Sequence, residues 1–223
     1  MEAPLLSILS FSFLLFLSLP VPSLSLSHRC NPTDKKVLLK IKQAFGNPYH
    51  LASWNPKDDC CDWYCVECHP TSNRINALTI FSSGEISGPI PPSVGDLPYL
   101  ENLVFRKLPN LTGRIPAFIA KLSHLKSLTL SWTNLSGPVP SSLSQLKNLT
   151  FVDLSYNQLT GSIPPSLSEL RKLDSILLDR NKLTGTIPDS FGLWVIYHSC
   201  SVPRRPYKSW TFRGTCLHLI SRR

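Results

Sequence analysis

The sequence predicts an α/β solenoid. Short coils stack so that their strands form a curved parallel sheet on the concave face, with short helical or irregular segments on the convex face. Two observations carry this. A Gly-x-Ile/Val-Pro tetrad begins at Gly88, Gly113, Gly137, Gly161 and Gly185, at intervals of 25, 24, 24 and 24 residues. Apolar residues precede each tetrad in fixed phase, as in Leu146-x-x-Leu149-x-x-Val152-x-Leu154-x-x-Asn157-x-Leu159. A coil this short cannot bury its own apolar face, so the pattern is stable only when neighbours stack.

Five coils occupy residues 73–192. Each strand is centred on an inward pair: Leu78/Ile80, Leu103/Phe105, Leu128/Leu130, Val152/Leu154 and Ile176/Leu178. Alternation sends their neighbours outward. Asn157 and Asn181 are placed to bond the backbone of adjacent coils. The Thr/Ser-Gly-x-Ile/Val-Pro segment turns the chain, and its proline opposes continuation as a regular helix. Residues 28–72 read as a cysteine-rich amino-terminal cap. Thr33 is the predicted N-cap of a helix with the apolar stripe Val37, Leu38, Ile41, Ala44 and Phe45, stopped by Gly46. Trp54 and Trp63 flank the cysteines and are expected to cover the open end of the first coil.

The ends differ from the repeats. Residues 1–27 read as a signal peptide, with an apolar core broken by Pro20 and Pro22 and small-residue sites at Ser23-Leu24-Ser25 and Ser25-Leu26-Ser27. No later run approaches the 18 or so apolar residues of a spanning helix, so a secreted product without stable membrane insertion is expected. Seven cysteines fit that oxidising route. Cys65-x-x-Cys68 has metal-site or redox spacing, but secretion favours disulfides, and neither metal nor cofactor is expected. Residues 193–223 lack the leucine phase, and the tetrad due near residue 209 is absent. They read as a non-repeat basic tail of foreign or alternative origin; a divergent cap tied by Cys200 and Cys216 is the other reading. The tail carries six Arg/Lys and no acid, against 17 basic and 13 acidic residues from Arg29 to Gly192. Secretion excludes nucleic acid as partner, while anionic wall polysaccharide remains.

The wording Leu-Ser-x-Asn-x-Leu-Thr-Gly-x-Ile-Pro resembles the plant-type extracellular leucine-rich repeat. More narrowly, the segments Cys30–Lys42, Leu51–Trp54, Cys60–Cys68, Arg74–Phe81, Gly95–Glu101 and Leu130–Gly137 resemble polygalacturonase-inhibiting proteins. The resemblance implies a leucine-rich-repeat solenoid with a disulfide-bonded cap, pairing Cys30 with Cys60 and Cys61 with Cys68 and leaving Cys65 apart. It implies a plant-defence protein of the extracellular space and cell wall, not an enzyme. Such a protein binds and inhibits fungal endopolygalacturonase and often associates with pectin. The chain carries about half the repeats usual in that family, so impaired inhibition is expected. The alternatives are a receptor-like ectodomain or a pectin-binding wall protein without inhibitory activity.

Aligning the coils gives two outward concave rows: Phe81, Arg106, Ser131, Ser155, Asp179, and beside it Ser82, Lys107, Trp132, Tyr156, Arg180. A third row, Val104, Thr129, Asp153, Leu177, adds Asp153 as a charged contact. Exposed aromatics between cations have the composition of a binding hot spot. The expected partner-binding set is Phe81, Arg106, Lys107, Ser131, Trp132, Asp153, Ser155, Tyr156, Asp179 and Arg180. Asn110, Asn134 and Asn148 meet the glycosylation acceptor rule. Two of these sequons sit just past a strand, so glycans are expected to border the concave rows. None of the six histidines falls on a concave row beside a nucleophile, so no catalytic group is assigned.

Overall fold

The computed structural model describes residues 29–191, 194–197 and 218–221; the predicted signal peptide, Cys200 and Cys216 lie outside them. The regular elements run α1 (Pro32–Ala44), β1 (Val66–Cys68), β2 (Ile75–Phe81), β3 (Asn102–Arg114), β4 (Ser127–Pro138), β5 (Phe151–Asp153), β6 (Gln158–Gly161), β7 (Ser175–Leu177), β8 (Lys182–Leu183), β9 (Trp194–Tyr197) and β10 (His218–Ser221). Strands β2, β3, β4, β5 and β7 form one parallel ladder. Leu78, Leu103, Leu128, Val152 and Ile176 are successive partners in it. All ten predicted inward residues are buried.

Between coils the asparagines supply the polar links. Asn157 Nδ2 donates to Leu130 O at 2.6 Å and its Oδ1 accepts from Leu135 N at 3.2 Å. Asn181 repeats this one coil on, with Leu154 O at 2.8 Å and Leu159 N at 3.0 Å. On the convex side, 3₁₀ turns at Pro92–Asp96, Ala117–Lys121, Ser141–Gln145 and Pro165–Glu169 each follow an extended proline. The fixed proline φ sets the entry angle, and Val94, Ile119, Leu143 and Leu167 are buried beneath.

The segments before the glycines do more than turn the chain. They form a second parallel ladder from the ends of β3 and β4 through β6 to β8, with Ser136 opposite Gln158 and Thr160 opposite Lys182. Partners here are 22 residues apart, two fewer than the repeat, so this ladder is sheared against the first. Gly137 shows why glycine is needed in it. Its φ is +78°, and a Cβ there would lie 3.0 Å from Arg114 Cγ.

In the cap, helix α1 is N-capped by Asn31 rather than Thr33. Asn31 Oδ1 accepts from Thr33 N at 3.0 Å and Asp34 N at 3.3 Å, and Pro32 takes the first helical position. Val37, Leu38, Ile41 and Phe45 are buried as predicted, whereas Ala44 faces solvent. Asp34 is also buried. Its carboxylate accepts from Arg74 Nε and Nη2, both at 2.8 Å, and from Ile75 N at 3.0 Å, tying helix to first coil. That bidentate bond holds the Arg74 guanidinium above its ordinary pKa. Trp54 and Trp63 stack 5.7 Å apart within this layer. Cys30–Cys60 and Cys61–Cys68 are bridged. Strand β1 closes the sheet's first edge, antiparallel to β2.

At the other end the sequence implies an uncovered apolar face on the last coil. The structure differs: β10 pairs antiparallel with β7, placing Leu219 opposite Ile176, and β9 lies outside β10. Leu219 is fully buried. Antiparallel pairing uses backbone groups alone, so the missing leucine phase does not forbid it.

Candidate functional site

The concave surface is set by a backbone feature that the sequence does not display. Ser82, Lys107, Trp132, Tyr156 and Arg180 all take φ of 53–54°, a left-handed residue two positions after the second inward residue of each coil. Non-glycine residues are uncommon there, and such strain concentrates at functional sites. One row thus leaves the sheet at a common angle. Trp132 and Tyr156 stack with centroids 3.6 Å apart and planes 12° off parallel. The Arg180 guanidinium lies 5.9 Å from the Tyr156 ring. Beside them runs an open groove of about 410 Å³, walled by Pro109, Thr133, Asn134 and Gln158. The Thr133 hydroxyl donates to Asn157 Oδ1, fixing the groove floor.

The other rows divide. Phe81, Arg106, Lys107 and Arg180 are exposed, Trp132 is 44% exposed, and Tyr156 and Asp179 are half-buried. Ser131 and Ser155 do not face outward: both are buried. The left-handed residue after each one turns the chain, so simple alternation fails at this strand end. Ser155 donates its hydroxyl and its N–H to Asp153 Oδ1, at 2.6 and 3.0 Å. Asp153 is thereby an internal acceptor, though half-buried with Val104 and Leu177, and Thr129 is buried. Ser131 Oγ has no hydrogen-bond partner among the described residues.

Tyr64 is a surface contact that sequence reasoning missed. It is half exposed, 6.1 Å from the Phe81 ring and 5.5 Å from His50. Only the antiparallel register of β1 on β2 brings it there. Between Tyr64 and Val66, burial pushes the Cys65 thiol up to about 12, and the three other cysteines that cluster (Cys30, Cys61, Cys68) are in disulfides. Asn134 lines the groove itself, so a glycan there would stand inside the site. Asn110 Nδ2 donates to Gly84 O at 2.7 Å and Asn148 Nδ2 to Ser123 O at 3.0 Å.

Comparison with known proteins agrees with this geometry. The family "Leucine rich repeat N-terminal domain" matches residues 31–69 and "Leucine rich repeat" matches residues 123–183. The BIR2 ectodomain of Arabidopsis thaliana superposes with TM-score 0.64 at 31% identity, over 71% of this chain and 85% of that one. A plant ice-binding protein superposes with TM-score 0.72 at 57% identity, over 74% and 53%. The chain therefore belongs to the plant extracellular leucine-rich-repeat proteins. Part of it is also similar to proteins named as polygalacturonase inhibitors. It is 66% identical over 133 residues to a "Polygalacturonase inhibitor" of Vitis vinifera, covering 60% of this chain and 40% of the relative. With a "Polygalacturonase inhibitor" of Pyrus communis it shares 65% over 128 residues, 56% and 38% of the two lengths. It spans about two fifths of the length of these curated relatives.

Proposed function

We propose that this protein acts outside the plant cell, binding a fungal endopolygalacturonase through its concave face and covering the enzyme's substrate cleft without breaking any bond. The single observation that carries this is the exposed Trp132–Tyr156 stack beside an open groove, on a solenoid whose relatives bear the name of polygalacturonase inhibitors. Two aromatics held parallel lose little rotamer freedom on binding, the usual property of interface anchors. The exposed Phe81 and Tyr64 extend the apolar face onto the cap. Among the described residues no helix is long and apolar enough to cross a membrane. The test is inhibition of endopolygalacturonases by the purified chain, with Trp132→Ala and Tyr156→Ala expected to weaken binding by about 1–3 kcal/mol each. Unchanged inhibition by both variants would remove the concave row from the site. Salt-sensitive pectin binding without any inhibition would favour the wall-binding reading.

A second reading has its own observation. Each coil places a hydroxyl before its glycine (Ser87, Thr112, Ser136, Thr160, Thr184), with Ser87, Thr160 and Thr184 exposed. A repeated hydroxyl row on a solenoid related to an ice-binding protein suits ice as ligand. Growth of ice grains in frozen sucrose, with and without the protein, separates the two.

A further inference from the structure

We infer that the concave row selects a protein surface presenting two carboxylates about 14 Å apart with an apolar side chain between them. The inference rests on the concave face being the binding face, but not on which protein it binds. Arg106 and Lys107 are exposed at one end of the row, and their side chains form no ion pair or hydrogen bond among the described residues. Arg180 stands at the other end, over Tyr156. Lys107, Trp132, Tyr156 and Arg180 hold the same position in successive coils, whose strands stack about 4.8 Å apart, so three such spacings separate the cations. The stacked rings fill the interval. The nearby Asp153 carboxylate accepts from the Ser155 hydroxyl and N–H, and it forms no ion pair with Arg106, Lys107 or Arg180 among the described residues. An unpaired cation beside an apolar surface attracts an anionic partner and repels a cationic one, which sets both encounter rate and choice. Four residues of extended chain rise about 13 Å, so acidic residues at i and i+4 around a central apolar one match the row.

The probe is a fluorescein-labelled extended peptide with two aspartates four positions apart about a leucine, compared with the same peptide carrying lysines. Binding is read by fluorescence polarisation at 20 and 150 mM NaCl. The aspartate peptide is expected to bind at least tenfold tighter than the lysine peptide, and to weaken at the higher salt. Arg106→Glu with Lys107→Glu is expected to weaken it at least tenfold. Arg171→Glu with Lys172→Glu, the same charge change at exposed sites away from the row, is expected to change it less than twofold. Equal losses in the two double variants would mean diffuse charge attraction and overturn the inference, as would equal affinity for the two peptides or no binding. Arg106→Gln with Lys107→Gln guards against misfolding of the reversed-charge protein. Failure to inhibit any polygalacturonase while these results hold would sink the enzyme target alone.

Discussion

At the residue scale, the concave row combines aromatic payload with a backbone conformation those residues disfavour. A left-handed non-glycine residue costs about 1–2 kcal/mol, whereas an aromatic stack returns about 0.5–1.5 kcal/mol beyond burial. The two nearly cancel at Tyr156. Tyr156→Gly is therefore expected to leave stability within about 1 kcal/mol of the parent. Tyr156→Val keeps the strained φ with a β-branched side chain and loses the stack, so its urea midpoint should fall clearly below that of the glycine variant. Equal midpoints would mean that the +54° φ carries no cost. Ser131 gives a second contrast. Its buried, unpartnered hydroxyl means that Ser131→Ala should be neutral or stabilising by up to about 1–3 kcal/mol, with partner binding unchanged. Nothing in the sequence marks either position, because Trp, Tyr and Lys do not advertise a left-handed backbone as glycine does. Strict alternation consequently placed Ser131 and Ser155 on the wrong side.

At the element scale, the cap is a small polar framework around the two disulfides. Burial alone would raise the Asp59 pKa. The N–H groups of Cys61, Arg29 and Cys30 outweigh it and hold the carboxyl below its ordinary value. A depressed folded pKa means that stability is fully present above the unfolded value near 4 and is lost as pH falls through the folded one. Urea midpoints between pH 6 and 2 should therefore drop at the acid end, and Asp59→Asn should flatten that drop while starting lower. A parallel acid decline in both proteins would assign it elsewhere. Cys30→Ser is expected to cost about 2–5 kcal/mol and to cut secretion sharply, while Cys65→Ser changes it little, as read by secreted yield. The helix and its buried stripe were legible from periodicity. Its first residue was not, since Asn31 and Thr33 both suit an N-cap and Pro32 decides between them by fitting the first helical turn. The second ladder was equally hidden, because its shear of two residues per coil has no signature in a 24-residue spacing.

Across the whole molecule, a solenoid's stability is close to a sum over coils and the interfaces between them, so each open end matters as much as any internal contact. The amino-terminal end is closed by α1, the tryptophan layer and β1. At the other end, only sequence outside the repeat is at hand. The tail has no leucine phase from which a cover is readable, yet β10 supplies one by backbone pairing and by Leu219, buried opposite Ile176. If that strand closes the stack, a charge at its buried position should reopen it without touching any coil. Leu219→Asp is expected to lower the thermal midpoint and to promote self-association through the bared β7 edge, an exposed strand being a template for a second chain. Deleting residues 193–223 should do the same, and it also removes six cations that oppose association by charge. Sedimentation velocity at several concentrations distinguishes the outcomes. A Leu219→Asp protein that stays monomeric and melts with the parent would show that β10 does not cover the last coil, and that the five coils hold their open end without it.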